Sequence, residues 1–348
     1  MKHWICLAVA IVVALSIEIE TAGADDSGMP QWLVQRMALR TSNRRDSAEM
    51  MAICKPLTKD AAQSVVQIVA DAKPVALGAI VSADGYVLTK RSELTVDPIR
   101  VRLADGRLLP ARVAAVRRRN DLALLRIEDV EASLPVIKFV DEPTPVGSFL
   151  ISVGRGGNGT LGLGVISVSA RRVEHNGKLG IVFSRRQNDA TVQQVLNASG
   201  ADTAGVVPGD QIVAVNGRNQ SDRESVMRML RDLFPGESAR LTILRGGETL
   251  NLEAKIQDLG LMQESENDSK VNGQRSTRLS GFEYVTQHDT VLDPNECGGP
   301  VVDGKGRCIG INIARAGRVV SYALPASSIL PDLESMLQEA RGTATVDR

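Results

Sequence analysis

The chain has 348 residues, 43% of them hydrophobic, and at about 100 to 200 residues per domain this length predicts two domains. Such a composition excludes a chain that stays disordered for lack of apolar residues. Basic and acidic residues number 41 each, so no net charge favours a nucleic acid, an anionic membrane surface or an acidic substrate.

The first residues have the pattern of a signal peptide at 1–24. A basic start at Lys2 precedes an apolar run from Trp4 to Ile17, and the small residues at 22–24 offer a cleavage site. The run is shorter than the roughly 20 residues that span a bilayer, although an uncleaved anchor stays open as an alternative. We expect a periplasmic or secreted protein with no membrane span after signal removal and no nucleic-acid partner.

Three cysteines remain after that cleavage: Cys54, Cys297 and Cys308. Because the number is odd, at least one thiol is unpaired within the chain. A bridge between Cys54 and Cys308 stays open, since pairing depends on a Cα separation that the sequence does not show. The cysteines have no metal-ligand spacing with histidines, so we expect neither a metal nor a cofactor.

Residues 25–58 are predicted to form an N-terminal arm with loosely helical spacing of apolar residues. From about Ala62 the chain changes to short Val, Ile and Leu runs with Asp-Gly turns, as in LGAIVSADGYVLT and IRVRLADGRLLPARV. Repeated short strands with such turns are typical of an antiparallel barrel or sandwich. Residues 59–174 are therefore predicted to be the first part of a β domain.

Residues 175–258 differ in pattern, with GVVPGDQIVAVNGR, then SDRESVMRMLRDL, then the hairpin-like LTILRGGETLNLEAKI. Apolar residues such as Val226 and Leu230 recur at helical spacing, and Ser221 or Asp222 can cap the helix start. The segment reads as a self-contained α/β module.

The stretch QESENDSKVNGQRSTR is almost free of apolar residues, which predicts an exposed linker at 259–277. The β pattern then resumes at 278–348 and ends in a C-terminal helix. The α/β module is therefore predicted to be inserted within the β domain.

Four blocks follow one another along the β regions: GAIVSADGYVLTKRSEL, NDLALLRI, DPNECGGPVVDGKGRCIGIN and SYALPASSI. In this order they resemble the HtrA/Do family of trypsin-like serine proteases. The order of four blocks is more specific than any one of them. Within the inserted module, KLGI and AGVVPGDQIVAVNGR resemble a bacterial-type PDZ domain. The resemblance implies a mainly β fold, a trypsin-like double β-barrel with an inserted α/β PDZ domain, although known family members usually carry PDZ domains after the protease domain.

By this resemblance Asp121 stands at the aspartate of the catalytic triad, Ser92 at the histidine and Cys297 at the serine. A serine protease needs a hydroxyl nucleophile, an imidazole that takes its proton and a carboxylate that orients the imidazole. Since the base is missing, the resemblance implies a degenerate triad and a pseudoprotease.

Two alternatives keep the enzyme question open. His175 or His288 could replace the base, which would have to come within about 3 Å of the proton it takes. A Cys297 thiol needs less activation than a hydroxyl, so a weakly active ATP-independent endopeptidase is conceivable. Loss of a triad member typically costs about 10⁴ to 10⁶ in rate, which favours a structural thiol.

The oxyanion-hole position also departs from the family. The family has Gly two residues before the nucleophile, where this chain has Asn295, and Glu296 replaces the family's Asn. Asn tolerates unusual backbone angles, so the loop could still form. A carboxylate at Glu296 that faced the site would disfavour both a thiolate and an oxyanion.

PDZ domains add a peptide C-terminus to a sheet edge and capture its carboxylate with loop N–H groups. The resemblance assigns Leu179, Gly180 and Ile181 to that loop, and Val226 and Leu230 to the helix side of the groove. A PDZ fold kept only for packing is the alternative.

The sequence thus predicts an exported HtrA/Do-like pseudoprotease that binds peptide C-termini or unfolded protein segments, in protein quality control or regulation. Family members often form trimers through an N-terminal segment, so a homo-oligomer, or an assembly with active relatives, is also predicted.

Overall fold

The protein is described by a computed structural model that covers Arg45 and residues 47–94, 96–130, 133–186 and 188–343. The predicted signal peptide at 1–24 and most of the predicted arm lie outside these residues. Most of the described part of the arm belongs to helix α1 (Ala48–Gln63), which continues past the predicted arm boundary at residue 58. In the described part of the chain, no helix is both long and apolar enough to cross a membrane.

Six strands form a first closed antiparallel barrel, in the order β1-β2-β3-β6-β5-β4. They are β1 (Val65–Ala70), β2 (Lys73–Ser82), β3 (Tyr86–Lys90), β4 (Ile99–Arg102), β5 (Leu108–Arg117) and β6 (Leu122–Ile127). The two predicted Asp-Gly turns join β2 to β3 and β4 to β5, where Gly85 and Gly106 have φ angles of 100° and 96°. Only glycine adopts these angles without strain.

The next strands, β7 (Phe149–Val153) and β8 (Thr160–Val173), begin a second barrel. An inserted module follows, with a four-stranded sheet in the order β13-β12-β14-β15 and two small two-stranded sheets, β10-β11 and β16-β9. Its elements are β9 (Gly177–Lys178), β10 (Ile181–Phe183), β11 (Val192–Val195), α2 (Gly200–Thr203), β12 (Gln211–Val215), β13 (Arg218–Asn219), α3 (Arg223–Arg231), β14 (Ser238–Arg245), β15 (Glu248–Lys255) and β16 (Gln257–Asp258).

Helix α3 begins where the sequence predicts, because the Asp222 side chain accepts a hydrogen bond from the Ser225 backbone N–H. The module has its own apolar core, to which α3 contributes Val226 and Leu230. The inserted segment therefore has the self-contained α/β structure that its sequence pattern predicts.

Two short helices, α4 (Leu259–Met262) and α5 (Glu266–Asn272), lead from the module back to the second barrel. The end of this predicted linker is not exposed, because Ser276 is fully buried. Its hydroxyl accepts a hydrogen bond from the backbone N–H of Arg315 at 2.9 Å. Polar composition alone did not reveal this contact.

The second barrel closes with four strands that follow the module, in the order β17-β20-β19-β18-β7-β8. They are β17 (Phe282–His288), β18 (Pro300–Asp303), β19 (Cys308–Gly317) and β20 (Val320–Pro325), followed by α6 (Ala326–Thr343). One apolar cluster joins the barrels, with Leu88 and Leu124 from the first, Phe282 and Ile311 from the second and Met336 from α6. The predicted fold class, a mainly β double barrel with an inserted α/β module, is confirmed.

Candidate functional site

Ser92 and Asp121 lie together in the first barrel, just beyond the end of β3 and just before β6. The Ser92 hydroxyl donates to Oδ2 of Asp121 at 2.8 Å, and both side chains are buried. The hydroxyl therefore takes the position on the carboxylate that an imidazole holds in a catalytic triad. It cannot act as the missing base, because a neutral hydroxyl does not take up a proton near neutral pH.

Cys297 is fully buried at the end of a 3₁₀ turn, Pro294–Glu296. Its thiol donates to the carbonyl oxygen of Asp293 at 3.8 Å and accepts from the Ser276 hydroxyl at 4.0 Å. Burial raises the pKa of this thiol, although the charge of Lys90 partly opposes the shift. The group is therefore a protonated thiol at neutral pH and not an activated nucleophile.

The backbone around Cys297 is held against the first barrel. Its carbonyl oxygen accepts from the Leu77 N–H at 2.9 Å, and the Gly298 N–H donates to the Asn312 carbonyl at 2.7 Å. A Cβ atom added to Gly298 would lie 2.1 Å from the Leu77 carbonyl oxygen. Glycine at position 298 is thus required by close packing of the loop.

The oxyanion-hole region is closed by a hydrogen bond within the turn. The backbone N–H of Cys297 donates to the carbonyl oxygen of Pro294 at 3.3 Å, whereas an oxyanion hole needs this N–H to point at substrate. The Glu296 carboxylate accepts from the Asp293 N–H at 2.7 Å and so caps the turn. Burial raises the pKa of Glu296. Asn295 lies exposed in the middle of the turn.

Lys90 is a residue of this site that the sequence analysis missed. It is fully buried, and its Nζ lies 3.1 Å from Oε1 of Glu93. Burial opposes the charged form, but the charge of Glu93, with Cys297 and Asp121 also nearby, outweighs it and raises the pKa of Lys90. Lys90 is therefore a permanent cation among these groups and cannot serve as a base for the Cys297 thiol.

Arg278 is the second residue that the sequence analysis missed. Its buried guanidinium donates to the carbonyl oxygens of Arg118 at 2.5 Å, Arg119 at 2.8 Å and Ser280 at 3.0 Å, and also to that of Gly281. The side chain thus ties the segment before β6 to the segment before β17.

Arg278 also lies 3.8 Å from Oδ1 of Asp121, an oxygen that accepts no hydrogen bond from any described residue. Burial raises the pKa of Asp121 and lowers the pKa of Arg278, although each group attracts the other. Desolvation therefore outweighs the attraction within this pair, and the carbonyl contacts are what hold the guanidinium in place.

The inserted module packs against this site through the turn that follows α3. Glu237 of that turn contacts Arg91 at 2.7 Å and Arg118 at 2.5 Å. A Cβ atom added to Gly236 would lie 3.4 Å from the Cβ atom and the carbonyl oxygen of Ser92. The module therefore covers the position where the triad would have its histidine.

A cavity of about 630 Å³ runs along this contact, and Arg91, Ser92 and Glu237 are among its lining residues. Cys297 is not one of the described residues that line it. The cavity therefore borders Ser92 and not the thiol.

A second cavity, of about 610 Å³, lies on the inserted module between β10 and α3. We call it the module groove. Among the described residues, β10 pairs only with β11, so its other edge is free there. Gly180, which precedes β10, has a φ of 89°, and a Cβ atom there would lie 2.1 Å from the Cβ atom of Ser199. Only glycine fits this position.

Four of the five predicted peptide-binding residues line the module groove: Leu179, Gly180, Ile181 and Leu230. The fifth, Val226, is fully buried in the core of the module and does not line the groove. Met227, the next residue of α3, faces it instead.

Comparison with known proteins supports this reading of the fold. The family description "Trypsin-like peptidase domain" matches residues 76–206, and "PDZ domain" matches residues 177–256. A "Probable periplasmic serine endoprotease DegP-like" of Pseudomonas putida (strain GB-1) is 23% identical, over 72% of this chain and 71% of its own length. The chain therefore combines a trypsin-like peptidase domain with a PDZ domain and is similar to HtrA/Do-type proteins.

Other similar proteins match parts of the chain. A DegP-like protein of Hahella chejuensis is also 23% identical, over 54% of this chain, which spans only 58% of that relative. One from Pseudomonas fluorescens is 34% identical over 29% of this chain and 22% of its own length. The MamO protease domain of Magnetospirillum magneticum in its apo form, a crystal structure, aligns with a TM-score of 0.41 and 18% identity, covering 78% of this chain and 97% of that one.

His175 and His288, the two candidates for replacing the triad histidine, contact groups outside the triad positions. His175 accepts from the Gly177 N–H at 3.0 Å, contacts the Leu233 carbonyl at 3.0 Å and stacks on Phe234 at 4.9 Å. Burial lowers the pKa of His175. His288 is buried on β17, where its Nδ1 lies 3.0 Å from the Thr290 hydroxyl.

The three cysteines of the described chain, Cys54, Cys297 and Cys308, are free thiols, and all are buried. The bridge between Cys54 and Cys308 that the sequence left open is therefore not formed. Burial raises the pKa of Cys54 and raises that of Cys308 to about 12. No cluster of potential metal ligands occurs in the part of the chain that the structure describes.

Proposed function

We propose that this chain is a periplasmic or secreted HtrA/Do-like pseudoprotease that binds peptide C-termini or unfolded protein segments through its PDZ domain. Its role would lie in protein quality control or regulation. The observation that carries the proposal is the free edge of β10 beside the module groove, an arrangement suited to adding a peptide as a further strand.

The residues at the groove suit a chain end. Gly180, in the loop before the free strand, has the φ of 89° that turns successive backbone groups toward one point, as capture of a carboxylate requires. Leu230, Met227 and Ile181 offer apolar contact for the last side chain of the peptide. In this proposal β10 supplies main-chain hydrogen bonds and the groove between β10 and α3 supplies specificity.

The loss of proteolysis is supported by three features of the triad region. Ser92 occupies the position of the base on Asp121 but cannot take up a proton from a nucleophile. The Cys297 thiol is buried and protonated, and the Cys297 N–H donates to the carbonyl oxygen of Pro294. Each feature alone would lower the rate by orders of magnitude, since nucleophile activation and oxyanion stabilisation both depend on these groups.

Binding of a fluorescently labelled peptide with an apolar C-terminal residue to the purified chain tests the proposal. Two matched peptides serve as controls, one amidated at its C-terminus and one N-methylated at the penultimate amide. We expect both to bind at least tenfold more weakly, because one lacks the carboxylate and the other a strand hydrogen bond. Equal binding of all three peptides would refute strand addition.

A variant pair checks the location. Met227→Ala removes an apolar contact from the groove and should weaken binding about fivefold, whereas Arg228→Ala, on an exposed position of the same helix, should not. Cleavage of an unfolded protein that disappears in Cys297→Ala would instead make the chain a slow endopeptidase. The proposed assemblies, a homo-trimer or a complex with active relatives, are checked by a size measurement with and without such a relative.

A further inference from the structure

The module groove is charged as well as apolar, and its charge has one sign. The charged side chains that line it are Lys178, Arg185, Arg223 and Arg231. Among the described residues that line the groove there is no Asp or Glu. An isolated peptide carboxylate would neutralise only one of these cations.

These cations are not neutralised from within the protein. In the described part of the chain, none of Lys178, Arg185, Arg223 and Arg231 takes part in an ion pair within 4.0 Å. The exposed face of the same helix differs, because Arg228 lies 3.9 Å from Glu224. The positive charge of the groove is thus left available for a ligand.

The cations stand at opposite ends of the groove. Arg231 lies at the C-terminal end of α3, and the chain continues from there to Leu233. The carbonyl oxygen of Leu233 lies close to Gly177, since a Cβ atom added to Gly177 would be 3.0 Å from it. Lys178 follows Gly177, so Arg231 and Lys178 lie at the same end of the groove. At the other end, Arg223 donates to the carbonyl oxygen of Ser184 at 2.8 Å. Lys178 and Arg231 therefore flank the carboxylate loop, and Arg223 marks the far end, as does Arg185 beside Ser184.

The length of β10 determines which residues of a bound peptide lie beside Arg185 and Arg223, the two cations at the far end. Its three residues, at about 3.3 Å each, separate the two ends by roughly 10 Å. A strand added to β10 with its carboxylate at Gly180 would place the residues two to four positions before its last one beside Arg185 and Arg223.

We infer that the module groove selects peptide C-termini that carry acidic side chains two to four residues before an apolar last residue. This specificity rests on the proposed function, since it assumes that a peptide C-terminus enters the groove. Complementary charge at a partly exposed rim changes affinity by about two- to fivefold per acid, so two acids should contribute about tenfold at low salt.

The experiment compares labelled peptides of one length and one apolar C-terminal residue. One has two Glu residues upstream, one has Gln in their place, one has Lys, and one is the Glu peptide with an amidated C-terminus. The full chain is titrated at two salt concentrations. We expect the Glu peptide to bind about tenfold more tightly than the Gln peptide, the Lys peptide to bind most weakly of the free acids, and the ratio to fall as salt screens the charges.

Two protein variants locate the effect. Arg185→Gln with Arg223→Gln removes the far cations, and Arg186→Gln with Arg228→Gln removes the same charge from positions outside the groove. The preference for Glu over Gln should vanish in the first variant and persist in the second.

The outcomes distinguish the inferred preference for acidic peptides from the proposed binding of peptide C-termini. Equal binding of the Glu and Gln peptides, or a Glu preference that survives loss of Arg185 and Arg223, overturns the specificity and leaves peptide binding intact. Failure of every free-acid peptide to bind, or binding of the amidated peptide as tight as that of the free acid, overturns the proposed function itself, and the specificity with it.

Discussion

Restoring the two altered triad residues should not restore proteolysis. The variant Ser92→His with Cys297→Ser has a hydroxyl, an imidazole and a carboxylate at the three positions. Its turn would still direct the backbone N–H of residue 297 to the carbonyl oxygen of Pro294, where the distance is 3.3 Å. The Gly236 turn would also still pack against the position of the new imidazole.

The size of the deficit follows from the missing donor. Removing one oxyanion-hole donor costs about 10² to 10³ in kcat, and here the donor is occupied by another acceptor. A fourfold variant that adds Asn295→Gly and Glu296→Asn carries the loop residues of the family and lacks the Glu296 cap of the turn. We expect the double variant to be at least 10²-fold slower than the fourfold variant.

The assay is release of fluorescence from a labelled, unfolded protein substrate, measured for the wild type, the double variant, the fourfold variant and the loop variant Asn295→Gly with Glu296→Asn alone. The loop variant controls for nonspecific loosening and should be inactive, because it lacks the base. If the double variant matches the fourfold variant, the closed turn is not what limits the site, and the reasoning from the Pro294 hydrogen bond is refuted.

Three further predictions concern the buried groups around the site. Arg278→Met should lower the free energy of unfolding by about 3 to 5 kcal/mol, because it leaves buried carbonyl oxygens and the Asp121 carboxylate without this partner. Arg119→Met, at an exposed position, should change it by under about 0.5 kcal/mol. Urea unfolding measures both variants, and equal losses would contradict the role of the guanidinium. Cys297 should resist alkylation in the native chain and react once the chain unfolds, since burial raises the pKa of its thiol; rapid native labelling located by mass spectrometry would contradict this. Burial opposes ionisation of Glu93, yet Lys90 and hydrogen bonds lower its pKa overall, so its stabilising effect is present above the unfolded pKa of about 4.3 and is lost as the pH falls through the lower folded value. Glu93→Gln should therefore be less stable than wild type at pH 7 and should lack part of the acid-dependent loss, which urea unfolding at pH 7 and pH 3 would show.

The sequence predicted those features that depend on local signals. The turn at Gly85, the helix cap at Asp222 and the two-barrel arrangement follow from short motifs and their order. The helix face was misjudged by one position, since Val226 and Met227 both fit an apolar stripe and only packing of the module decides which one faces the groove.

Lys90 and Arg278 could not be found in the same way. A buried cation looks like a solvated one in sequence, and its partners are remote, as with Arg278 and the carbonyl oxygen of Arg118, 160 residues apart. Arg118, in the basic run just before Asp121, likewise contacts the remote Glu237 of the inserted module. Contacts of this range depend on the closed barrels and not on spacing along the chain.

The altered triad and the position of the inserted module are physically linked. Without an imidazole, the buried carboxylate of Asp121 needs positive charge nearby, and Lys90 and Arg278 supply it. Arg278 in turn lies 4.1 Å from the ring of Phe234, in the turn of the module that also packs over Ser92. The module thus completes the surroundings of the Arg278 cation beside Asp121, so an imidazole at position 92 would have to displace both the hydroxyl contact with Asp121 and the docked turn.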